Sequence, residues 1–181
     1  MNWGWWVGVV VVLVLFGLYL SQVAGRLDRL HLRIEAARNA LEVQLARRSG
    51  VVSEIAGSGL LDPASSVVLA DSAAAARDAD LDDLANMAAV ESELTHALAA
   101  TFSEREDVEA LDEAAGMAFS ESLETACRRV QLARTFHNDA VRACLLVRQR
   151  RLARWFYLAG RTPLPRSIDL DDRLPPGFTQ R

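Results

Sequence analysis

The chain has 181 residues, with 20 basic side chains against 24 acidic ones for a net charge of −4, and two cysteines. That length suits one domain with a proper core. A basic block accompanied by a larger acidic one argues against a nucleic-acid partner. All twenty basic residues are Arg, and they are partitioned: residues 26–48 carry +3, residues 54–124 carry −15, residues 128–166 carry +9 and the tail carries −1. Such blocks form solvated faces, and in a helical bundle they also select which helices sit side by side.

Residues 3–24 read WGWWVGVVVVLVLFGLYLSQVA and hold no charge. At helical rise they span roughly 33 Å, enough for the hydrocarbon core of a bilayer. A signal peptide is the competing reading, but it would begin with a basic region, and residues 1–25 contain no Arg. Cleavage after Ala24 would also put Gln22 where a small residue is preferred. Trp3, Trp5, Trp6 and Tyr19 lie near the ends of the run, as interface aromatics do. Arg26, Arg29, Arg33 and Arg38 all follow it, so the positive-inside rule puts the N-terminus outside and the domain in the cytoplasm. The expected organisation is an anchor over residues 1–25, a helical bundle over 26–160 and an irregular Pro-rich tail over 161–181. Gly4 and Gly8 form a GxxxG, and Gly17, Ser21 and Gly25 a second small-residue ladder, through which two membrane helices could approach.

Beyond the anchor, Val23, Leu27, Leu30, Ile34, Ala37, Leu41 and Leu45 recur at spacings of three and four, one apolar stripe. This helix is expected to pass Gly50 and end near Gly57, Ser58 and Gly59. Asp62-Pro63 signals a new N-terminus. The second helix reaches about Ala79, with Val67, Val68, Ala70 and Ala74 as its apolar set. After the acidic cap at residues 80–83 comes a third, with Leu84, Met87, Ala88, Leu94, Ala97, Leu98 and Phe102. Ser103 opens S-E-R-E, a capping box for a fourth helix. Its pattern of Leu111, Ala114, Ala118, Leu123, Cys127, Val130, Ala133, His137, Ala140, Cys144 and Val147 is expected to continue to about Leu158. Pro163, Pro165, Pro175 and Pro176 keep the tail irregular. No β-type alternation occurs, so the expected fold is all-α: an N-terminal transmembrane helix followed by an antiparallel four-helix bundle.

Little in the chain carries chemistry. There is no phosphate-cradling glycine loop, CxxC, HExxH or nucleophile elbow. Cys127 and Cys144 are 17 residues apart in one expected helix, roughly 25 Å, too far for a mutual disulfide. Glu93 and His96 form a single Glu-x-x-His, whereas di-iron carboxylate bundles need two copies plus two further glutamates. The expected place of His96 is therefore the surface. His137 lies on the apolar stripe, with Asn138 and Asp139 able to bond across the bundle. Arg148, Arg150, Arg151 and Arg154, with Trp155, Phe156 and Tyr157, would lie at an anionic inner leaflet, where each Arg contributes about 1 kcal/mol. Alternatively those aromatics pack on the bundle base.

Three stretches give a resemblance: LEVQLARR at 41–48, ESELTHALAATF at 91–102 and CRRVQLARTFHNDAV at 127–141. With the anchor, they make the chain resemble the LemA family of bacterial membrane proteins, as a divergent member. His137-Asn138 stands where that family has Tyr-Asn, and its first-helix proline is absent, with Ser53 nearby. The resemblance implies an N-terminal membrane helix, a cytoplasmic four-helix bundle and no established enzymatic activity. The expected function is thus a non-enzymatic scaffold at the inner face of the plasma membrane, with no cofactor and with lipid and protein partners. Arg47, Arg48, Arg134, His137, Asn138 and Asp139, in the resembling motifs, are the candidate interaction residues, and Arg47 and Arg48 could equally pair with the acidic helices. A metal-dependent bundle enzyme using Glu93 and His96, or a bundle that binds anionic lipid, are the alternative functions.

Overall fold

A computed structural model describes residues 3–80, 82–115, 118–149 and 164–179. It is helical, with no strand among the described residues. The helices are α1 (Trp3–Gly57), α2 (Pro63–Asp78), α3 (Leu84–Thr101), α4 (Arg105–Ala115), α5 (Ala118–Arg148) and a single turn, α6 (Pro176–Thr179). Two compact units emerge: residues 1–36 with 138–167, and residues 37–137 with 168–181.

In the first unit, α1 begins with one window long and apolar enough to cross a membrane, and none of that window is buried. Trp3, Trp5, Trp6, Leu13 and Leu15 are all exposed. Among the described residues, Leu27 on α1 and Ala140, Val141, Cys144 and Val147 on α5 are its buried apolar residues. Arg148 closes α5 half-buried; Arg150, Arg151, Arg154 and Trp155 lie outside the described residues.

The second unit holds the main core. Val52 and Ile55 from α1, Leu69 and Ala73 from α2, Leu94 and Leu98 from α3, Val108 and Leu111 from α4 and Leu123 and Cys127 from α5 form one cluster with Phe102 and Phe178. Helix ends follow local chemistry. Asp62 accepts from the Ala64 and Ser65 amides at the start of α2, and Asp83 from Ala85 and Asn86 at the start of α3. Gly59, at φ 75°, supplies the left-handed residue just past α1.

Four sequence expectations change. Helix α2 buries Leu69, Ala73 and Ala76, whereas Val67, Val68, Ala70 and Ala74 are exposed, because the i, i+4, i+7 row that faces α3 starts one residue later. The expected fourth helix is two helices, α4 and α5. Gly116 stands between them in sequence, and only proline is a poorer helix former. At the α4 N-terminus it is Asp107, not Glu106, that receives the Glu104 amide (2.8 Å) and the Ser103 hydroxyl (3.4 Å).

The fourth change concerns the tail, which is not a loose appendage. Ile168, Leu170, Asp172, Pro175, Gly177 and Phe178 are buried, and Pro176 starts a helical turn where its missing N–H costs nothing. The Phe178 ring meets Phe102 edge-on at 5.7 Å. Gly177 donates its amide to the Phe102 carbonyl at 2.9 Å. A Cβ there would stand 2.3 Å from the Glu104 carbonyl oxygen and 3.0 Å from those of Phe102 and from Val108 Cγ2. Backbone oxygens cannot step aside as a side chain can. Gly177→Ala should therefore destabilise the domain by about 1–3 kcal/mol, the cost of overpacking, read as a lower urea midpoint with unchanged helix content before the transition.

Candidate functional site

The best-defined polar assembly is built on α1, α3, α5 and the strap formed by residues 168–179. Arg48 projects from α1 into the apolar interior and is 1% exposed, as is Glu91 on α3. A buried guanidinium must be matched by acceptors. Its Nη2 donates to the Glu91 carboxylate and, at 3.1 Å, to the Glu91 carbonyl; Nη1 donates to the Thr95 hydroxyl at 3.1 Å. Among the described residues its Nε has no acceptor within hydrogen-bond distance. Burial pushes the Glu91 carboxyl above its usual range, against the pull of Arg48.

Thr95 carries the assembly outward. Its hydroxyl oxygen, with one proton to donate, lies 2.7 Å from the Asp171 carbonyl on the strap and 3.1 Å from the Glu91 carbonyl on its own helix, so the strap is the nearer acceptor. One turn earlier on α3, the Ser92 hydroxyl accepts the Asp171 amide at 2.9 Å. Both main-chain groups of Asp171 are thus held by an i, i+3 pair on α3. An i, i+3 pair on α5 treats Asp172 alike: Gln131 Nε2 donates to its carbonyl at 2.6 Å, while Arg134 grips its carboxylate at 2.6 and 3.0 Å. Between these polar rows, Ile168 and Leu170 enter an apolar cluster with Leu41, Leu45, Met87, Val130 and Ala133.

Of the candidate interaction residues, Arg48 and Arg134 belong to this assembly. Arg47 is exposed and lines a separate open groove of about 720 Å³ with Gly50, Val51 and Glu54 of α1 and Ala118, Glu121, Ser122 and Thr125 of α5. His137 is buried, Asn138 half-buried, and Asp139 pairs with Arg142 on its own helix. Glu93 and His96 are both exposed; His96 Nε2 lies 3.4 Å from Asp171. Among the described residues no three His, Cys, Asp or Glu side chains are grouped to hold a metal ion. Cys127 and Cys144 are free and buried, and burial pushes both thiols up, away from the reactive thiolate. Glu91, Thr95, Ser92, Gln131 and Asp172 escaped sequence reasoning. The available signal was Glu91 and Thr95 on the row of Met87, Leu94 and Leu98, polar residues at core positions of a helix.

Compared with protein-family models, curated proteins and solved structures, the chain matches none.

Arg48→Met alone leaves Glu91 buried without its cation and should cost about 3–5 kcal/mol, while Arg48→Met with Glu91→Leu should return close to the starting stability. Urea melts of the two single variants and the double variant provide the cycle; additive losses would refute the coupling. A second outcome concerns acid. Asp171 is held well below the usual carboxylate range, chiefly by the Arg173 guanidinium. A depressed folded value gives stability that is complete above the unfolded value, about 4, and is lost as pH falls through the folded one. Glu91, shifted upward, contributes in the opposite sense. Lowering the pH below about 4 should therefore loosen the strap before α3, seen as amide exchange that accelerates first at residues 168–179 when corrected for intrinsic rates.

Proposed function

We propose that this chain is a single-pass, non-enzymatic membrane protein of LemA-like architecture, presenting its helical domain as an interaction module at the inner face of a bacterial plasma membrane. The observation that carries the reading is α1 itself. One unbroken helix begins with an apolar window that buries none of its surface and continues into Leu41, Leu45, Val52 and Ile55, which are core residues. An apolar surface of that length left wholly uncovered by protein calls for lipid. Arg26, Arg29, Arg33 and Arg38 after the window support the cytoplasmic orientation.

The polar side chains of the domain support a binding role over catalysis. Its buried ionic groups are tied to one another, its thiols are buried, and its Glu-x-x-His is exposed without companion ligands among the described residues. Nothing in that arrangement offers a base, a nucleophile and an electrophile around one point.

Spheroplasts carrying the full chain with a tag after Arg181 test the reading. Added protease should leave the tag intact until the membrane is breached, and alkaline carbonate should not extract the protein. Digestion of the tag in intact spheroplasts, or a mature N-terminus near Gly25, would overturn it.

A further inference from the structure

The polar rows on α3 and α5 have the make-up of a peptide-docking cleft. Ser92 and Thr95 read the amide and carbonyl of one residue, Gln131 reads the carbonyl of the next, Arg134 reads that residue's carboxylate in a two-point grip, and an apolar cluster takes the aliphatic side chains two and four residues earlier. What is recognised is an extended segment of pattern aliphatic, any residue, aliphatic, any residue, aspartate. Main-chain bonds supply affinity, while the aliphatic and aspartate subsites supply specificity, the division of labour seen when peptides dock in an extended form. The chain's own Ile168, Leu170 and Asp172 satisfy the pattern.

We propose that this cleft is an intermolecular docking site whose second occupant is the strap of another copy of the chain, so that two copies associate by exchanging residues 168–179. Among the described residues, the hydrogen bonds and apolar contacts that seat the strap come from the second unit, and a strap arriving from a neighbouring copy would make the same ones. Cis and trans occupancy share these described contacts and differ in the connection. The chain between Gln149 and Leu164 could reach up to roughly 50 Å at full extension. Exchange of an identical element between protomers sacrifices no contact energy, and the balance is set by effective concentration. Here the inference rests on the interaction-module reading above, since two copies anchored in one bilayer meet at high local concentration. Charge complementarity points the same way. The strap offers Asp169, Asp171 and Asp172 to a cleft carrying Arg134.

The test uses the full chain in detergent with a fluorescent peptide of residues 166–179. An Asp172→Asn chain, whose own strap is weakened, should bind the peptide at least tenfold more tightly than the unaltered chain. Adding Arg134→Gln, or the milder Gln131→Ala, to that chain should cost at least tenfold, with helix content checked by circular dichroism. Two differently tagged copies should co-purify from membranes. Co-purification should fall when both carry Arg134→Gln and recover when an Arg134→Gln copy is paired with an Asp172→Asn copy, because that pair restores one intact strap and cleft. A folded Asp172→Asn chain that ignores the peptide, or binding insensitive to both cleft variants, overturns the proposal. So does peptide binding without co-purification, or co-purification unaffected by the paired Arg134→Gln variants. The peptide arm makes no use of bilayer orientation, so its failure is separable from failure of the membrane reading.

Discussion

A guanidinium removed from water dictates much of the second unit. Arg48 is buried on α1, and a lone charge there would be prohibitive, so α3 must present acceptors at one register. Glu91 and Thr95, one turn apart on the same face, provide them. A slip of α3 by one residue would replace them with Ser92 and His96, whose side chains leave the helix about 100° away. Replacing such a pair with apolar residues is often no worse for stability, and its effect here is to fix register. Thr95 then couples that register to the strap, because its hydroxyl accepts from Arg48 and reaches the Asp171 carbonyl.

The strap consequently belongs to the core. Its aliphatic residues complete one apolar cluster, and Phe178 completes the other against Phe102. Helices α3 and α5 leave polar side chains at i, i+3 along the cleft, which would be poor core residues without a main chain to bond. The Pro-Pro-Gly-Phe sequence does the rest. Pro176 opens a turn, and Gly177 allows backbone to lie on backbone at the α3–α4 corner.

Part of the charge partition of the sequence is resolved within the chain. Basic residues from the first block meet acids of the central block as Arg38 with Asp82 and Arg48 with Glu91, and the second basic block meets the tail as Arg134 with Asp172. These pairs differ in weight. Arg38–Asp82 is solvent-washed and contributes little, whereas Arg48–Glu91 is dry and cannot be broken cheaply. The same partition that looks like a surface property in sequence thus also includes the most buried ionic contact described.

The local order of the chain determined a good deal by itself. The stripe from Leu27 to Leu45, the passage of α1 through Gly50, the caps at Asp62 and Asp83 and the buried row from Leu123 to Val147 are set by spacing and by side chains that satisfy nearby backbone groups. The long apolar window is likewise a property of composition and length. Tertiary structure decided what depends on a distant partner. Which row of the alanine-rich α2 turns inward depends on α3, since Ala and Val at neighbouring positions differ too little to choose. That Glu91 is buried rather than washed depends on Arg48, 43 positions away. That a proline-rich tail is held in place depends on hydroxyl, amide and guanidinium groups waiting on two helices, because an extended segment has no internal hydrogen bonds and takes its conformation from the surface that supplies them.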